Sequence, residues 1–226
     1  MSFHTRVSRS LLSQALDTFT LLLLLGGFAG FIPHYPIIDQ LLTPILAGLY
    51  VLVCLRFIFR LNSLTRSIYR TPTLVVLISY ALLSVTWSEA PSVTLIRATA
   101  LLGTTIFGIY LACRYPISAI IELAWRATGV ALLLSIGTVL ILPEIGIMQG
   151  YHSGSWQGIF DHKNTFGRTA ALFTLITFSR LHNQAQNRLP LVTASLLGLV
   201  TLLLSQSTTA MISTVTCGAF LTVLPL

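Results

Sequence analysis

Long apolar segments, separated by short polar ones, recur along the whole chain. We predict eight of them, at about residues 12–32, 41–59, 72–87, 93–113, 119–142, 164–181, 190–204 and 208–226. Most approach the roughly 20 residues that a helix needs to cross the hydrocarbon core of a bilayer. Lipid cannot satisfy backbone N–H and C=O groups, so such segments must be helical. The predicted fold class is therefore all-α, a polytopic membrane helix bundle of about eight transmembrane helices.

Charged residues are too scarce for a chain of this length to fold as a water-soluble globule. They make up 8% of the 226 residues, and 54% are hydrophobic, whereas a soluble domain carries about 25% charged residues. Lipid must therefore replace water around most of the surface, which makes the lipid bilayer the first predicted partner. No repeat or low-complexity linker is visible, so we treat residues 1–226 as a single membrane domain.

Basic residues are divided unevenly between the two sets of connections that alternate along the chain. One set holds ten of them and the other holds three. Lys and Arg are enriched in cytoplasmic loops, so we predict a cytoplasmic amino terminus and an extracytoplasmic connection over residues 143–163. The net charge of +7 is spread between apolar segments, which argues against a cationic face for nucleic acid. The larger set comprises Arg6, Arg9, Arg56, Arg60, Arg66, Arg70, Arg114, Arg126, Arg180 and Arg188.

The three cations of the smaller set break this topology rule and are the most informative. Arg97 lies about one turn inside the fourth segment, Arg168 lies similarly in the sixth, and Lys163 precedes the sixth. Charges within spans are costly and usually face a protein interior or a wet cavity, although long side chains also snorkel to the interface. Guanidinium groups bind phosphate bidentately and stay protonated. We predict that Arg97, Arg168 and Lys163 bind a diphosphate.

The connection over residues 143–163 is rich in side chains that suit a carbohydrate or a phospholipid headgroup. Trp156, His162 and Asn164 are candidate glycan contacts, although aromatic residues also populate membrane interfaces in general. His162 is a weak candidate for a catalytic acid or base, because a lone His more often makes a structural hydrogen bond. Asn164 is the predicted N-cap of the sixth helix, and Asp161 is a nearby alternative.

Sequence patterns for a metal or a cofactor are not found. The cysteines, Cys54, Cys113 and Cys217, are widely spaced within apolar segments, and no CxxC or His–Cys spacing occurs. HExxH, P-loop, GxSxG and dinucleotide-binding patterns are missing as well. We predict that the chain uses no cofactor and no metal.

Two short spacings predict local packing. Glu122 and Arg126 are spaced i,i+4, so their side chains can meet on one helix face. Gly26 and Gly30 have the GxxxG spacing, which permits two helices to approach closely.

Three motifs together resemble the O-antigen ligase and Wzy-type polymerase superfamily, and specifically its exopolysaccharide-production (ExoQ-like) branch. The resemblance covers about residues 75 to 215. The most specific part is the HKN-x-x-GR stretch that follows WS-x-x-P. The motifs are Trp87-Ser88-Glu89-Ala90-Pro91 leading to Leu95-Ile96-Arg97-Ala98, then Gly158-Ile159-Phe160-Asp161-His162-Lys163-Asn164-Thr165-Phe166-Gly167-Arg168, and Leu204-Ser205-Gln206-Ser207-Thr208-Thr209-Ala210.

The resemblance implies a multi-pass glycosyltransferase of the GT-C type in the bacterial inner membrane. Such proteins move a glycan from an undecaprenyl-diphosphate carrier to an acceptor at the periplasmic face, without a metal. Family arginines hold the diphosphate, and Arg97 and Arg168 match their positions. Other polysaccharide assembly proteins would be further partners. The resemblance does not separate a ligase of lipopolysaccharide from an exopolysaccharide polymerase.

The sequence departs from the family pattern in one respect. Family members have more spans and a large periplasmic loop in their second half, which is expected to carry the catalytic His. This sequence stops before that loop, so we expect a truncated member or part of a longer protein. Whether the chain acts as an enzyme is therefore left open. The alternative reading is a membrane transporter or flippase for a lipid-linked oligosaccharide or another anionic substrate.

Overall fold

The computed structural model describes residues 11–58, 71–183 and 188–223, and within these ranges it contains helices and no strands. The all-α part of the prediction is thus confirmed. The long helices, numbered here in chain order, are α1 (Leu11–Leu24), α2 (Pro36–Ile58), α3 (Pro72–Leu83), α4 (Pro91–Arg114), α5 (Ile117–Ile141), α6 (Lys163–Asn183), α7 (Arg188–Leu204) and α8 (Thr208–Val223). Short 3₁₀ segments are Ala29–Phe31, Ser84–Trp87 and Gly150–His152.

The first apolar segment is shorter as a helix than its hydropathy predicts. α1 ends at Leu24 because Gly26 and Phe28 adopt positive φ values of 87° and 70°, which an α-helix cannot contain. The second segment, predicted from about residue 41, begins earlier as a helix, since α2 already starts at Pro36. Proline is tolerated at the first position of a helix because its missing N–H would have no partner there.

Among the described residues, two helices are long and apolar enough to cross a membrane: Pro91–Arg114 and Ile117–Ile141. Shorter apolar helices are Ser13–Leu24, Pro72–Trp87 with its terminal 3₁₀ turn, Arg188–Leu204 and Thr208–Thr222. Many large apolar side chains on these helices are exposed, including Val76, Leu133 and Leu203. Length and composition therefore support membrane helices at α4 and α5.

The contacts within the chain divide it into two compact units. The loop unit comprises the described residues up to Leu42 together with those from Ile121 onward, and the central unit comprises Thr43–Ile120. In the central unit, α3 and its 3₁₀ turn pack along α4, and the ring of Tyr50 fills the space over Gly103. The single membrane domain of the sequence analysis stays a prediction.

The core of the loop unit is built where α5, α6, α7 and α8 meet the connection before α6. Side chains that are fully or almost fully buried there include Leu132, Phe160 and Phe166. α6 makes its most extensive contacts with α7 and packs also against α8. The residues of the connection are thus part of the core rather than a loop lying over it.

Two glycines allow this connection to lie directly on other backbone segments. Gly158 has φ +61°, and a Cβ at this position would lie 2.2 Å from Cβ of Ser135 in α5. A Cβ on Gly30 would lie 2.3 Å from the carbonyl oxygen of Phe160, and the Gly30 N–H donates to the carbonyl of Ile159 at 3.0 Å. Gly30 therefore serves a contact with the connection, whereas Gly26 lies in the turn after α1, with its Cβ position 3.5 Å from Thr165 of α6.

Gly158→Ala tests whether this close approach holds the loop unit together. We expect the variant to lose about 3 kcal/mol or more of unfolding free energy, because its Cβ would overlap atoms of α5. Gly154→Ala is the matched control, since Gly154 also has positive φ but nothing lies within 4 Å of its Cβ position. It should lose only about 1 kcal/mol. Thermal unfolding followed by circular dichroism measures both, and equal losses would contradict the contact.

Candidate functional site

The connection between α5 and α6 is an ordered loop closed by backbone hydrogen bonds. One helical turn, Pro143–Gly146, is followed by an isolated antiparallel bridge between Ile147 and Trp156. The Gly146 carbonyl accepts from the N–H groups of Gln157 and Gly158, each at 2.9 Å. Such pairing satisfies groups that would otherwise be costly to bury. The loop therefore provides a fixed base for the polar residues that follow it.

The loop is also tied to the turn between α7 and α8. The N–H of Trp156 donates to the carbonyl of Leu204 at 3.0 Å, and Oγ of Ser155 donates to Oε1 of Gln206 at 3.0 Å. Ser155 is almost fully buried, so this hydrogen bond is shielded from water. The third motif of the sequence analysis, around Ser205 to Ser207, is thus brought against the second.

His162 caps α6 instead of the residue predicted for that role. Its Nδ1 accepts from the backbone N–H of Asn164 at 3.1 Å, and its carbonyl accepts from the N–H of Thr165 at 3.0 Å. Asn164 itself lies in the first turn of α6, so the predicted N-cap at Asn164, or alternatively Asp161, is wrong. The imidazole does what an Asn or Asp side chain does at this position. With Nδ1 accepting, a neutral ring carries its proton on Nε2.

Asn164 instead joins α6 to the start of α8. Its Oδ1 accepts from Oγ of Ser207 at 3.1 Å, and Ser207 is buried. The N–H of Ser207 in turn donates to Oγ of Ser205 at 3.2 Å. A Cβ on Gly167 would lie 2.6 Å from Cβ of Ser207, so the two helices lie close together here. The side chain of Asn164 is exposed apart from this contact.

Two cations follow the cap on α6. Nζ of Lys163 lies 3.4 Å from the carbonyl oxygen of Gln206. The guanidinium of Arg168 is exposed and makes one long hydrogen bond, 3.5 Å from Nη2 to Oγ1 of Thr165. An Arg has five N–H donors, so four of those of Arg168 have no partner in the part of the chain that the structure describes. The arrangement can therefore accept an anion without breaking existing contacts of Arg168.

A second histidine extends this surface. The rings of His152 and His162 meet edge to face with centroids 5.7 Å apart, and Tyr151 packs similarly on His152 at 4.9 Å. Partial desolvation, followed by the nearby charges of Lys163 and His162, lowers the pKa of His152 below its ordinary value of 6.5. His152 is thus neutral at pH 7. Because the protonated form of His152 is less favourable in the folded state, the folded state loses stability as the pH falls from the ordinary pKa through the lowered pKa.

Trp156 lies partly buried against the core cluster of the loop unit. Its backbone is held by the bridge to Ile147 and by the hydrogen bond from its N–H to the carbonyl of Leu204. Its indole is therefore held in place by packing. A glycan could reach only the part of the ring that is not covered by the core.

Arg97 belongs to the central unit and lies in the second turn of α4, where its side chain is exposed. It forms no hydrogen bond or ion pair within the described part of that unit. The turn before α4 is fixed by Ser88, whose Oγ lies 2.6 Å from Oγ1 of Thr94 and accepts from the N–H of Ala90 at 3.1 Å. The motif WSEAP thus sets the start of the helix that carries Arg97.

The opposite end of the loop unit carries a charge network that the sequence predicted only in part. The i,i+4 pair is confirmed, with Nε of Arg126 2.7 Å from Oε1 of Glu122. Nη2 of Arg180 donates a hydrogen bond to Oε2 of Glu122. The guanidinium of Arg180 also lies 4.7 Å from the ring centroid of Trp125. Sequence reasoning missed Arg180 as a partner, because 58 residues separate it from Glu122 and no local spacing indicates such a contact.

Among the described residues, no group of three or more His, Cys, Asp or Glu side chains is placed to hold a metal ion. Arg6, Arg9, Arg60, Arg66 and Arg70, which are predicted to be cytoplasmic, lie outside the described residues. Comparison with protein-family models, with curated proteins and with solved structures gives no match.

The capping role of His162 can be tested separately from any chemistry of the ring. His162→Ala should lower the free energy of unfolding by about 1 kcal/mol, because it leaves the N–H of Asn164 without its acceptor. His162→Asp should restore most of this stability, since aspartate is a preferred cap and its charge suits a helix N-terminus. Chemical denaturation measures the difference. If both variants were equally unstable, the Nδ1 hydrogen bond would not stabilise α6.

Proposed function

We propose that the chain is a multi-pass protein of the bacterial inner membrane, with about eight spans in a partial GT-C-like bundle. Its amino terminus would be cytoplasmic and the loop over residues 143–163 periplasmic. Two observations support this arrangement. α4 and α5 are long and apolar enough to span, and large apolar side chains such as Ile96, Leu133 and Val215 are exposed along the helices. Apolar surface this extensive needs lipid or protein to cover it.

Labelling of single cysteines tests this topology. Tyr151 in the loop is 97% exposed, and Leu189 near the start of α7 is 75% exposed. In a background without the three native cysteines, a membrane-impermeant maleimide should modify Tyr151→Cys in intact spheroplasts. It should modify Leu189→Cys only after permeabilisation, because α7 would begin at the cytoplasmic face. Labelling of Leu189→Cys in intact spheroplasts would invert the topology.

The proposed activity is transfer of a glycan from an undecaprenyl-diphosphate-linked donor, either onto a lipid acceptor or onto a growing polysaccharide. The observation that carries it is the exposed guanidinium of Arg168 in the second turn of α6, the helix that begins at Lys163 and is capped by His162. Guanidinium groups with unengaged donors suit the oxygens of a diphosphate. Arg168, Lys163 and His162 all lie in the second of the three motifs that resemble the polysaccharide ligase and polymerase superfamily.

In the proposed reaction, an acceptor hydroxyl attacks the anomeric carbon and the bond from that carbon to the diphosphate oxygen breaks. Charge develops on the departing diphosphate, and Arg168 and Lys163 would stabilise it. No metal is needed, because fixed cations supply the charge. The hydroxyl proton passes to the departing diphosphate oxygen, directly or through water, because His162 is poorly suited to accept it while its Nδ1 caps α6. Its Nε2–H can instead donate to a diphosphate oxygen.

Substitution of Arg168 tests the mechanism. Arg168→Gln should lower the rate of transfer about tenfold to a hundredfold, since it removes charged hydrogen bonds to the leaving group. Arg168→Lys should recover only part of the rate, because an ammonium cannot bind bidentately. The assay follows glycan transfer and released undecaprenyl diphosphate in vesicles that contain the chain and a labelled donor.

Arg188→Gln is the matched control, because Arg188 is exposed at the start of α7, at the other end of that helix from the loop. It should leave the rate unchanged. If the donor crossed the vesicle membrane without chemical change, the chain would be a transporter or flippase. Equal rates for the wild type and Arg168→Gln would overturn the proposed mechanism.

A further inference from the structure

An apolar groove of about 560 Å³ opens along the loop unit, at the end away from the 143–163 loop. It lies between α5 and α7, with α6 beneath it. Its volume is within the range of about 300–1,000 Å³ that is typical of sites for small ligands. The lining residues on α5 begin at Trp125 and end at Leu133, whereas the loop contacts α5 at Ser135 and Val139. The groove is therefore separate from the candidate site.

Two glycines give the groove its depth. A Cβ on Gly129 of α5 would lie 3.1 Å from Cε2 of Phe173, and a Cβ on Gly198 of α7 would lie 3.2 Å from Cδ1 of the same ring. The phenyl ring thus lies between the two helices and forms the floor. The indole of Trp125 stacks on it with centroids 5.8 Å apart and planes at 17°. The floor is consequently fixed and apolar.

One end of the groove carries an excess of positive charge. Arg126 lines it, and Arg126 and Arg180 share the single carboxylate of Glu122. Two of the five N–H donors of Arg126 are engaged, by Oε1 of Glu122 at 2.7 Å and by Oε1 of Gln14 at 3.4 Å. The side chain is 47% exposed. Among the described residues no partner engages the other three donors, which can therefore bind an anion at the end of an otherwise apolar groove.

We propose that this groove binds an anionic membrane phospholipid, with an acyl chain against Phe173 and the phosphate on Arg126. The inference rests on the proposed function for the membrane location. From Trp125 to Leu133 the helix rises about 12 Å, and one leaflet of the hydrocarbon core is about 15 Å thick. In the proposed topology the Arg126 end meets the cytoplasmic leaflet, which is rich in anionic lipid. The net positive charge selects such a lipid over a zwitterionic one.

Native mass spectrometry of the purified chain in detergent, titrated with phosphatidylglycerol, tests the proposal. Phosphatidylcholine with the same acyl chains is the comparison lipid. The wild type should bind phosphatidylglycerol more tightly, and Arg126→Gln should weaken that binding about tenfold with little effect on phosphatidylcholine. Ala194→Phe fills the groove from α7 and should weaken the binding of both lipids.

The controls lie on α7 as well. Arg188→Gln removes a nearby charge that does not line the groove, and Leu196→Phe enlarges a side chain that is 56% exposed outside it. Both should bind phosphatidylglycerol as the wild type does. Equal loss in Arg126→Gln and Arg188→Gln, or no preference for phosphatidylglycerol in the wild type, overturns the proposal. If Ala194→Phe loses helix content by circular dichroism, the comparison of Arg126→Gln with Arg188→Gln decides.

Alkaline carbonate extraction of the membranes from which the chain is purified separates two kinds of failure. A chain that stays in the membrane but shows no lipid preference overturns the lipid site alone. A chain released into the soluble fraction overturns the membrane location, and with it the proposed function.

Discussion

The contact on which the loop unit depends is the approach of the 143–163 loop to the backbone around it. Gly158 lies against Ser135, and the N–H of Ile159 lies 3.3 Å from Oγ of that serine. The carbonyl of Ile159 accepts from Gly30, and the side chain of Phe160 is fully buried. These backbone contacts leave the loop little freedom to move as a separate segment. The polar side chains at the start of α6, including His162 and Lys163, follow directly from this loop.

Much of the helix pattern could be predicted because it follows from local composition. Apolar length places α3, α4, α5, α7 and α8 close to where they occur, and Pro91 and Ser205 to Ser207 mark the breaks. The end of α1 could not be predicted in this way. It depends on left-handed conformations at Gly26 and Phe28, and the turn that contains them leads to the hydrogen bond from Gly30 to Ile159, about 130 residues away along the chain.

The candidate site shows the same division between local and distant causes. Sequence alone could single out Arg168 and Lys163, because charges near apolar segments are costly wherever they occur. It could not assign the cap of α6, since His162 and Asn164 are both near the helix start and only geometry decides between them. It also could not show that Asn164 bonds Ser207, because that contact requires α6 and α8 to be neighbours.

The charges of α6 suggest why the site would attract an anion. At its carboxyl end, Arg180 and His182 lie in the last turn, where cations interact favourably with the helix dipole. At its amino end there is no acidic residue in the first turn; Lys163 lies there instead, and Arg168 follows in the second turn. Cations at a helix amino terminus are unfavourable by about 0.3–1 kcal/mol each. Asp161 precedes the cap and forms no ion pair within the described part of the chain.

Natural sequences tend to break such local rules at functional positions. A bound anion would reverse the sign of this local cost, because it would meet the helix dipole and the cations together. The same reasoning separates the two ends of the loop unit. Glu122 already balances part of the charge of Arg126 and Arg180, so that end is suited to hold a lipid in place. Within the described part of the chain no ion pair balances Arg168, which suits the more highly charged diphosphate that we propose as its ligand.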